Sequence, residues 1–91
     1  MQTTRQLERI IKGFSNHRRI QLLQLLEKTP ELSVAEIADT LEINFRTASD
    51  HTRRLAVSGL LMKRNDDRAV RHALTPLGFS VLKFLKTLGR D

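Results

Sequence analysis

The chain has 91 residues, enough for one domain with a thin, mostly aliphatic core. It contains no cysteine, which excludes disulfides and thiolate metal sites. Its formal net charge of +6 favours a polyanionic partner, and nucleic acid is the commonest one. The N-terminal residues lack the apolar core of a signal peptide, and no apolar run approaches the length of a membrane span. We therefore expect a soluble, cytoplasmic protein.

The charges are unevenly distributed along the chain. Residues 1–26 carry five basic and one acidic side chain, whereas residues 29–43 carry four acids and no base. Residues 44–91 carry ten bases and four acids. An acidic segment between two basic ones indicates a basic face that points in one direction.

Apolar residues at helical spacing predict two helices at the start of the chain. The first begins at Thr3 or Thr4 and ends within 13–16. Its apolar stripe consists of Leu7, Ile10, Ile11 and Phe14. The second helix begins after position 15 or 16 and ends before Pro30, which disfavours helical geometry at the preceding residue. Its buried face is predicted to contain Ile20, Leu22, Leu23, Leu25 and Leu26.

A third and a fourth helix follow, joined by a short turn. Ser33 and Glu36 form a capping-box pattern, in which each side chain satisfies a backbone amide at the start of the third helix. Asn44 is the predicted cap of the fourth helix, which runs to about Ser58 before Gly59 closes it in left-handed geometry. The predicted inward face of this helix consists of Ala48, Thr52 and Leu55.

After the fourth helix the spacing of apolar residues is no longer helical. Two short strand-like runs follow, 60–64 and 69–74, joined by the polar turn 65–68. Thr75 and Pro76 open the last helix, because proline suits the first helical position. The apolar stripe of that helix consists of Leu77, Val81, Phe84, Leu85 and Leu88. The predicted fold class is mainly α with a small β-hairpin, a single domain over 1–91.

Two consecutive helices joined by a tight turn and followed by a basic hairpin describe a winged helix-turn-helix. In this fold the fourth helix is the recognition helix, which enters the DNA major groove, and the hairpin is the wing, which reaches the neighbouring backbone or minor groove. The predicted DNA-binding residues are Asn44, Arg46, Thr47, Ser49, Asp50, Arg53 and Arg54 on the helix, with Lys63, Arg64, Arg68 and Arg71 on the wing. The alternative is that these residues form solvated faces of the helix and the hairpin.

Asp50 needs an explanation, because an acid on a DNA-facing helix opposes phosphate binding. Arg46 and Arg54 each lie four residues away, and pairing with Asp50 would orient a guanidinium. The carboxylate can also accept a hydrogen bond from a cytosine amine. We favour the orienting role.

In the wing, Arg68 at the tip and Lys63 or Arg71 along the strands are predicted to contact phosphates. The tip also holds two acids, which argue against deep insertion into the minor groove. His17 and His72 are expected to be ordinary surface residues, since three scattered histidines make no metal site.

Several segments together form a specific pattern. They are 19–23 (Arg-Ile-Gln-Leu-Leu), 32–38 (Leu-Ser-Val-Ala-Glu-Ile-Ala), 47–51 (Thr-Ala-Ser-Asp-His), 59–61 (Gly-Leu-Leu) and 74–77 (Leu-Thr-Pro-Leu). Over nearly its whole length the chain thereby resembles the ArsR-like (arsenical-resistance-repressor type) winged-helix regulators. The resemblance implies a DNA-binding transcription regulator that is associated with the nucleoid. It favours a repressor. It also makes His51 a candidate DNA contact, with an ordinary surface role as the alternative.

In that family the first and last helices form a homodimer, and here they correspond to residues 1–15 and 76–90. The implied interface residues are Leu7, Ile10, Ile11, Phe14, Leu77, Val81, Phe84, Leu85 and Leu88. Apolar stripes that a small core cannot cover also favour subunit pairing, although both stripes could simply pack on the core. A twofold dimer places two recognition helices about one DNA turn apart and implies a palindromic operator.

Departures from the family remove its metal sites. The Cys-Val-Cys motif of its metal-sensing branches is Ser-Val-Ala at 33–35 here, and residues 76–90 contain no Asp, Glu or His. We therefore expect no metal and no cofactor. Thr52 replaces a leucine that is usually buried, and its hydroxyl can bond a backbone carbonyl one turn back.

Two other function classes are weaker. A winged-helix protein–protein module without DNA binding tends to lose bases from the recognition helix and wing, yet this chain keeps Arg46, Arg53, Arg54, Lys63, Arg64, Arg68 and Arg71. An enzyme is the poorest option, because the chain has no cysteine nucleophile, paired-carboxylate signature or glycine-rich phosphate loop. We expect a protein that is not an enzyme.

Overall fold

Five helices and one two-stranded antiparallel sheet make up residues 2–90, the part of the chain that the computed structural model describes. The elements are α1 (Thr4–Phe14), α2 (His17–Lys28), α3 (Val34–Leu41), α4 (Phe45–Val57), β1 (Leu61–Asn65), β2 (Val70–Leu74) and α5 (Pro76–Leu88). Their order confirms the predicted winged helix-turn-helix. Both strands begin one residue later than the sequence pattern indicated.

Side-chain caps fix the starts of the helices, as the sequence predicts. Ser33 Oγ accepts a hydrogen bond from the Glu36 amide at 3.2 Å, and Glu36 Oε1 accepts one from the Ser33 amide at 2.9 Å. Thr3 caps α1, and Thr75 caps α5 with Pro76 at the first helical position. These caps satisfy amides that have no partner within their helix.

The core forms where α2, α3, α4 and α5 meet the base of the hairpin. The largest fully buried apolar side chains are Leu22, Leu23, Leu26, Ile37, Leu55, Leu60 and Leu82. The inward face of α4 is confirmed, since Ala48, Thr52 and Leu55 are at most 1% exposed. On α2, Ile20 and Leu25 are only half-buried.

The first and last helices divide their apolar residues between the core and the outside. On α5, Leu82 and Val81 are buried, whereas Phe84 is 53% and Leu88 is 64% exposed. On α1, Phe14 is buried and Ile10 packs on the core, whereas Leu7 and Ile11 are exposed. Phe14 and Val81, both predicted at a dimer interface, therefore stabilise the core of a single chain.

A short bridge ties the segment after α2 to the wing. Leu32 pairs with His72 in antiparallel fashion, and the Glu31 amide donates to the His72 carbonyl at 2.9 Å. His72 Nδ1 also lies 2.9 Å from the Leu32 carbonyl oxygen, and the side chain is 1% exposed. The prediction that His72 is a surface residue is therefore wrong. No local pattern indicates its burial, because the hydrogen-bond partner lies 40 residues away in sequence. His17 is exposed, as expected.

The start of α5 packs tightly on the chain that leaves α4. Gly59 adopts the predicted left-handed geometry, with φ of 82°. Thr75 donates its hydroxyl to the Gly59 carbonyl at 2.6 Å and its amide to the Leu60 carbonyl at 3.1 Å. A Cβ at Gly78 would lie only 2.3 Å from the Leu60 carbonyl oxygen. Only glycine allows α5 to approach this closely.

We expect Gly78→Ala to lower the free energy of unfolding by about 1–3 kcal/mol, since the added methyl meets a backbone atom that cannot rotate away. Gly89→Ala is the matched control, because its Cβ would lie 3.5 Å from the nearest atom, an ordinary contact. Urea denaturation at one protein concentration measures both. Equal stability of the two variants would contradict the close approach.

We also expect the protein to lose stability as the pH falls. Burial lowers the pKa of His72, so the unfolded chain binds this proton more readily than the folded one. The stabilisation is complete above the ordinary histidine pKa of about 6.5 and is lost progressively below it. Unfolding measured at several pH values should show a shallower decline for His72→Gln than for the wild type. Identical declines in the two proteins would refute this role of His72.

Candidate nucleic-acid interface

The turn between α3 and α4 is held by backbone hydrogen bonds. Glu42 adopts left-handed geometry with φ of 56°, and its amide donates to the carbonyls of Ala38 and Asp39. The Ile43 amide donates to the Ala38 carbonyl at 3.0 Å. Asn44 then caps α4 as predicted, since its Oδ1 accepts from the Thr47 amide at 2.8 Å. The side-chain oxygen of Asn44 is thus occupied, which leaves its NH₂ group for a ligand.

The side of α4 opposite the buried stripe carries three exposed arginines and one acid. Asp50 Oδ1 accepts from Arg53 Nη2 at 2.6 Å, and its Oδ2 accepts from Arg54 Nε at 3.0 Å. The predicted pairing of Asp50 with Arg54 is confirmed, whereas the one with Arg46 is wrong. These hydrogen bonds, the one from Arg53 first, hold the pKa of Asp50 below its usual range. Asp50 is therefore a carboxylate that orients two guanidinium groups.

Arg46 is exposed and makes no ion pair with any residue in 2–90. Ser49, one turn later, is also exposed, while Thr47 is half-buried. These three polar residues all lie in the first half of α4.

His51 lies on the side of α4 that faces α2. Its Nδ1 is 3.4 Å from Arg19 Nη1, and Arg19 Nη2 donates to the Lys12 carbonyl at 3.5 Å. Burial lowers the pKa of His51, and the positive charge of Arg19 lowers it further. The ring is half-buried, in contact with α2. The structure therefore shows His51 in contact with Arg19 of α2, and its DNA contact stays a prediction.

The tip of the wing is built around Asp66. Its Oδ1 accepts from the amides of Arg68 and Ala69, each at 2.9 Å, and its Oδ2 accepts from Arg71 Nε at 2.5 Å. The hydrogen bond from Arg71, followed by those from the two amides, holds the pKa of Asp66 far below its usual range. This acid organises the turn and presents the Arg68 side chain at its edge.

Two wing arginines are tied to the acidic segment before and within α3. Arg71 Nη1 donates to the Glu31 carbonyl at 3.1 Å and to Glu36 Oε1 at 3.5 Å. Arg64 Nε donates to Glu31 Oε1 at 3.2 Å. Among the wing cations of the described chain, Lys63 and Arg68 remain without a carboxylate partner. Of the predicted phosphate contacts, Lys63 and Arg68 are therefore available to bind a phosphate. Arg71 instead positions the wing.

Phe45 is a feature of the site that the sequence reasoning missed. It is the first residue of α4, and its side chain is 59% exposed beside Arg46. The available signal was an aromatic residue at the first position of the predicted helix.

Two features that would indicate other functions are absent from residues 2–90. No group of three or more His, Cys, Asp or Glu side chains is arranged to hold a metal ion there. None of the helices in this range is both long and apolar enough to cross a membrane.

Known proteins share this architecture. HlyU from Vibrio cholerae N16961 is 28% identical over 94% of each chain, with a TM-score of 0.81. The transcriptional regulator HlyU from Vibrio vulnificus CMCP6 is also 28% identical, over 92% of this chain and 88% of that one, with a TM-score of 0.74. The homodimeric winged helix-turn-helix DNA-binding domain of Mb0332 from Mycobacterium bovis, a possible ArsR-family transcriptional regulator, is 25% identical over 100% of this chain and 93% of that one, with a TM-score of 0.79.

No curated protein matches the chain in sequence. These solved structures agree with the ArsR-like resemblance of the sequence. The family model of the winged helix DNA-binding domain matches residues 16–78, from the cap of α2 to the first turn of α5. The chain therefore belongs to the winged helix DNA-binding domain family.

Proposed function

We propose that this chain, a winged-helix DNA-binding transcription regulator, acts as a homodimer that binds a palindromic operator in the nucleoid of the cytoplasm. The observation that carries the proposal is the two-sided α4, with one side fully buried and the other presenting exposed arginines. The resemblance to ArsR-like repressors favours repression. In this proposal the protein works by binding DNA and not by catalysis.

Arg46 and Arg53 are the proposed base or phosphate contacts of the recognition helix. Arg46 has no competing carboxylate among the described residues, and Arg53 is oriented by its 2.6 Å hydrogen bond to Asp50. A guanidinium held in one orientation is suited to bidentate bonding with guanine O6 and N7. Asp50 thus contributes to specificity through the arginines, at the expense of some attraction to phosphates.

Lys63 and Arg68 are the proposed backbone contacts of the wing. Both are exposed, and two acids of this region, Glu31 and Asp66, are already paired with Arg64 and Arg71. Contacts of this kind fix the register of a protein on DNA without reading the sequence. They also make affinity depend steeply on salt, because each releases counterions.

The proposed dimer uses the outward apolar faces of α1 and α5. Leu7, Ile11, Phe84 and Leu88 are 48% to 64% exposed, and surfaces of this kind favour subunit pairing. Support comes from the Mycobacterium bovis neighbour, which is described as homodimeric. A twofold axis between the recognition helices is the reason to expect a palindromic operator.

We expect Arg46→Ala with Arg53→Ala to weaken operator binding by at least about tenfold, because each lost bidentate contact is worth about 1–3 kcal/mol. Fluorescence titration on DNA selected from a random pool measures the affinity. The control pair is Arg5→Ala with Arg90→Ala, which removes the same charge from exposed positions outside α4 and the wing. Comparable losses in both double variants would mean that net charge, and not the recognition helix, determines binding.

Asp50→Asn should strengthen binding to unrelated duplex DNA severalfold and reduce the preference for the operator. The variant removes a negative charge from the DNA-facing side and releases two oriented arginines. The ratio of the two affinities is the quantity to measure. Glu27→Gln is the control, since Glu27 pairs with Lys86 on α5. An unchanged ratio in D50N would contradict the orienting role.

Ile11→Glu with Phe84→Glu should convert the dimer into a monomer, because both changes place charges on the proposed apolar interface. Sedimentation equilibrium gives the association state. Val57→Glu is the matched control, since Val57 is 79% exposed at the end of α4. A double variant that dimerises as well as the wild type would refute this interface.

A further inference from the structure

The exposure of Phe45 is not explained by the fold. Helix α4 receives its buried contacts from Ala48, Thr52 and Leu55. The position before the cap, where an apolar residue commonly fixes the entry of a helix, is filled by Ile43, which packs on the core. Neither the core nor the helix start therefore requires a large apolar side chain at position 45.

The Phe45 side chain lies at the N-terminal end of α4, the end that would enter the major groove. Side chains of an α-helix lean toward its N-terminus, so a residue at the first position projects beyond the helix end. Arg46 follows directly, and Ser49 lies one turn later on the same side, and both are exposed. In a helix-turn-helix, the N-terminal residues of the recognition helix are the ones that contact base edges.

The chemistry of the major groove indicates what an aromatic ring can read there. Guanine, cytosine and adenine present hydrogen-bonding groups, whereas thymine adds the apolar C5-methyl group. An arginine next to the ring covers the polar part of the same region. An apolar ring at this place therefore fits a thymine methyl better than any other base edge.

We propose that Phe45 is a specificity-determining residue that packs on the methyl group of a thymine beside the base contacted by Arg46. The inference rests on the proposed function, because it requires α4 to enter the major groove. It adds an apolar contact to a surface otherwise made of cations and hydrogen-bonding groups.

The test replaces thymine by deoxyuridine, which lacks only the methyl group, at each thymine of one half-site in a selected operator. For the wild-type protein, one position should weaken binding about fourfold, the value expected for exposing one methyl group. Phe45→Ala should bind the unmodified operator more weakly and show no difference between thymine and deoxyuridine at that position.

Val57→Ala is the matched control, because it removes an exposed apolar side chain from the other end of α4 and should keep the discrimination.

Circular dichroism and sedimentation verify that Phe45→Ala is folded and dimeric. Equal wild-type affinity for thymine and deoxyuridine at every position overturns the inference, as does an F45A protein that still discriminates. A changed association state of F45A also overturns it and assigns Phe45 to a protein interface. A wild-type protein that binds no DNA contradicts the proposed function itself, so the two failures are distinguishable.

Discussion

The buried stripe of Ala48, Thr52 and Leu55 holds α4 against the core, and the position of each proposed contact on that helix depends on it. Thr52 is the polar member, and its hydroxyl donates to the Ala48 carbonyl at 2.6 Å, so a polar group is buried without losing its hydrogen bond. Because one side of α4 is fixed against the core, the opposite side of the helix faces the solvent. The arginines at 46 and 53 are therefore exposed because of what is buried beneath them.

The acids of the chain direct its basic surface. The acidic segment between two basic regions supplies Glu31 and Glu36, which pair with two wing arginines. Asp50 pairs with Arg53 and Arg54 of α4. Exposed ion pairs of this kind contribute little to stability, yet they fix the direction of long side chains. The uneven charge distribution of the sequence thus corresponds to two groups of cations. Some position the wing through ion pairs, and others have no ion pair among the described residues.

Local patterns predicted most of the fold, and long-range contacts account for the misses. Caps such as Ser33 and the left-handed Gly59 depend on neighbours within a few residues, and the structure confirms them. The burial of His72 depends on Leu32, forty positions away, which no local pattern reveals. Asp50 pairs with Arg53 because helical side chains lean toward the N-terminus, so a later arginine reaches back more easily than Arg46 reaches forward. Helical spacing alone treats both directions as equal.

Selection of bound duplexes from a random DNA pool by the purified protein tests the central claim most directly. The account predicts enrichment of an inverted repeat whose half-sites lie about one helical turn apart, because two α4 helices related by a twofold axis read the same sequence. Failure to enrich any sequence, with no binding to mixed fragments at low salt, would contradict it and indicate a winged helix that binds protein.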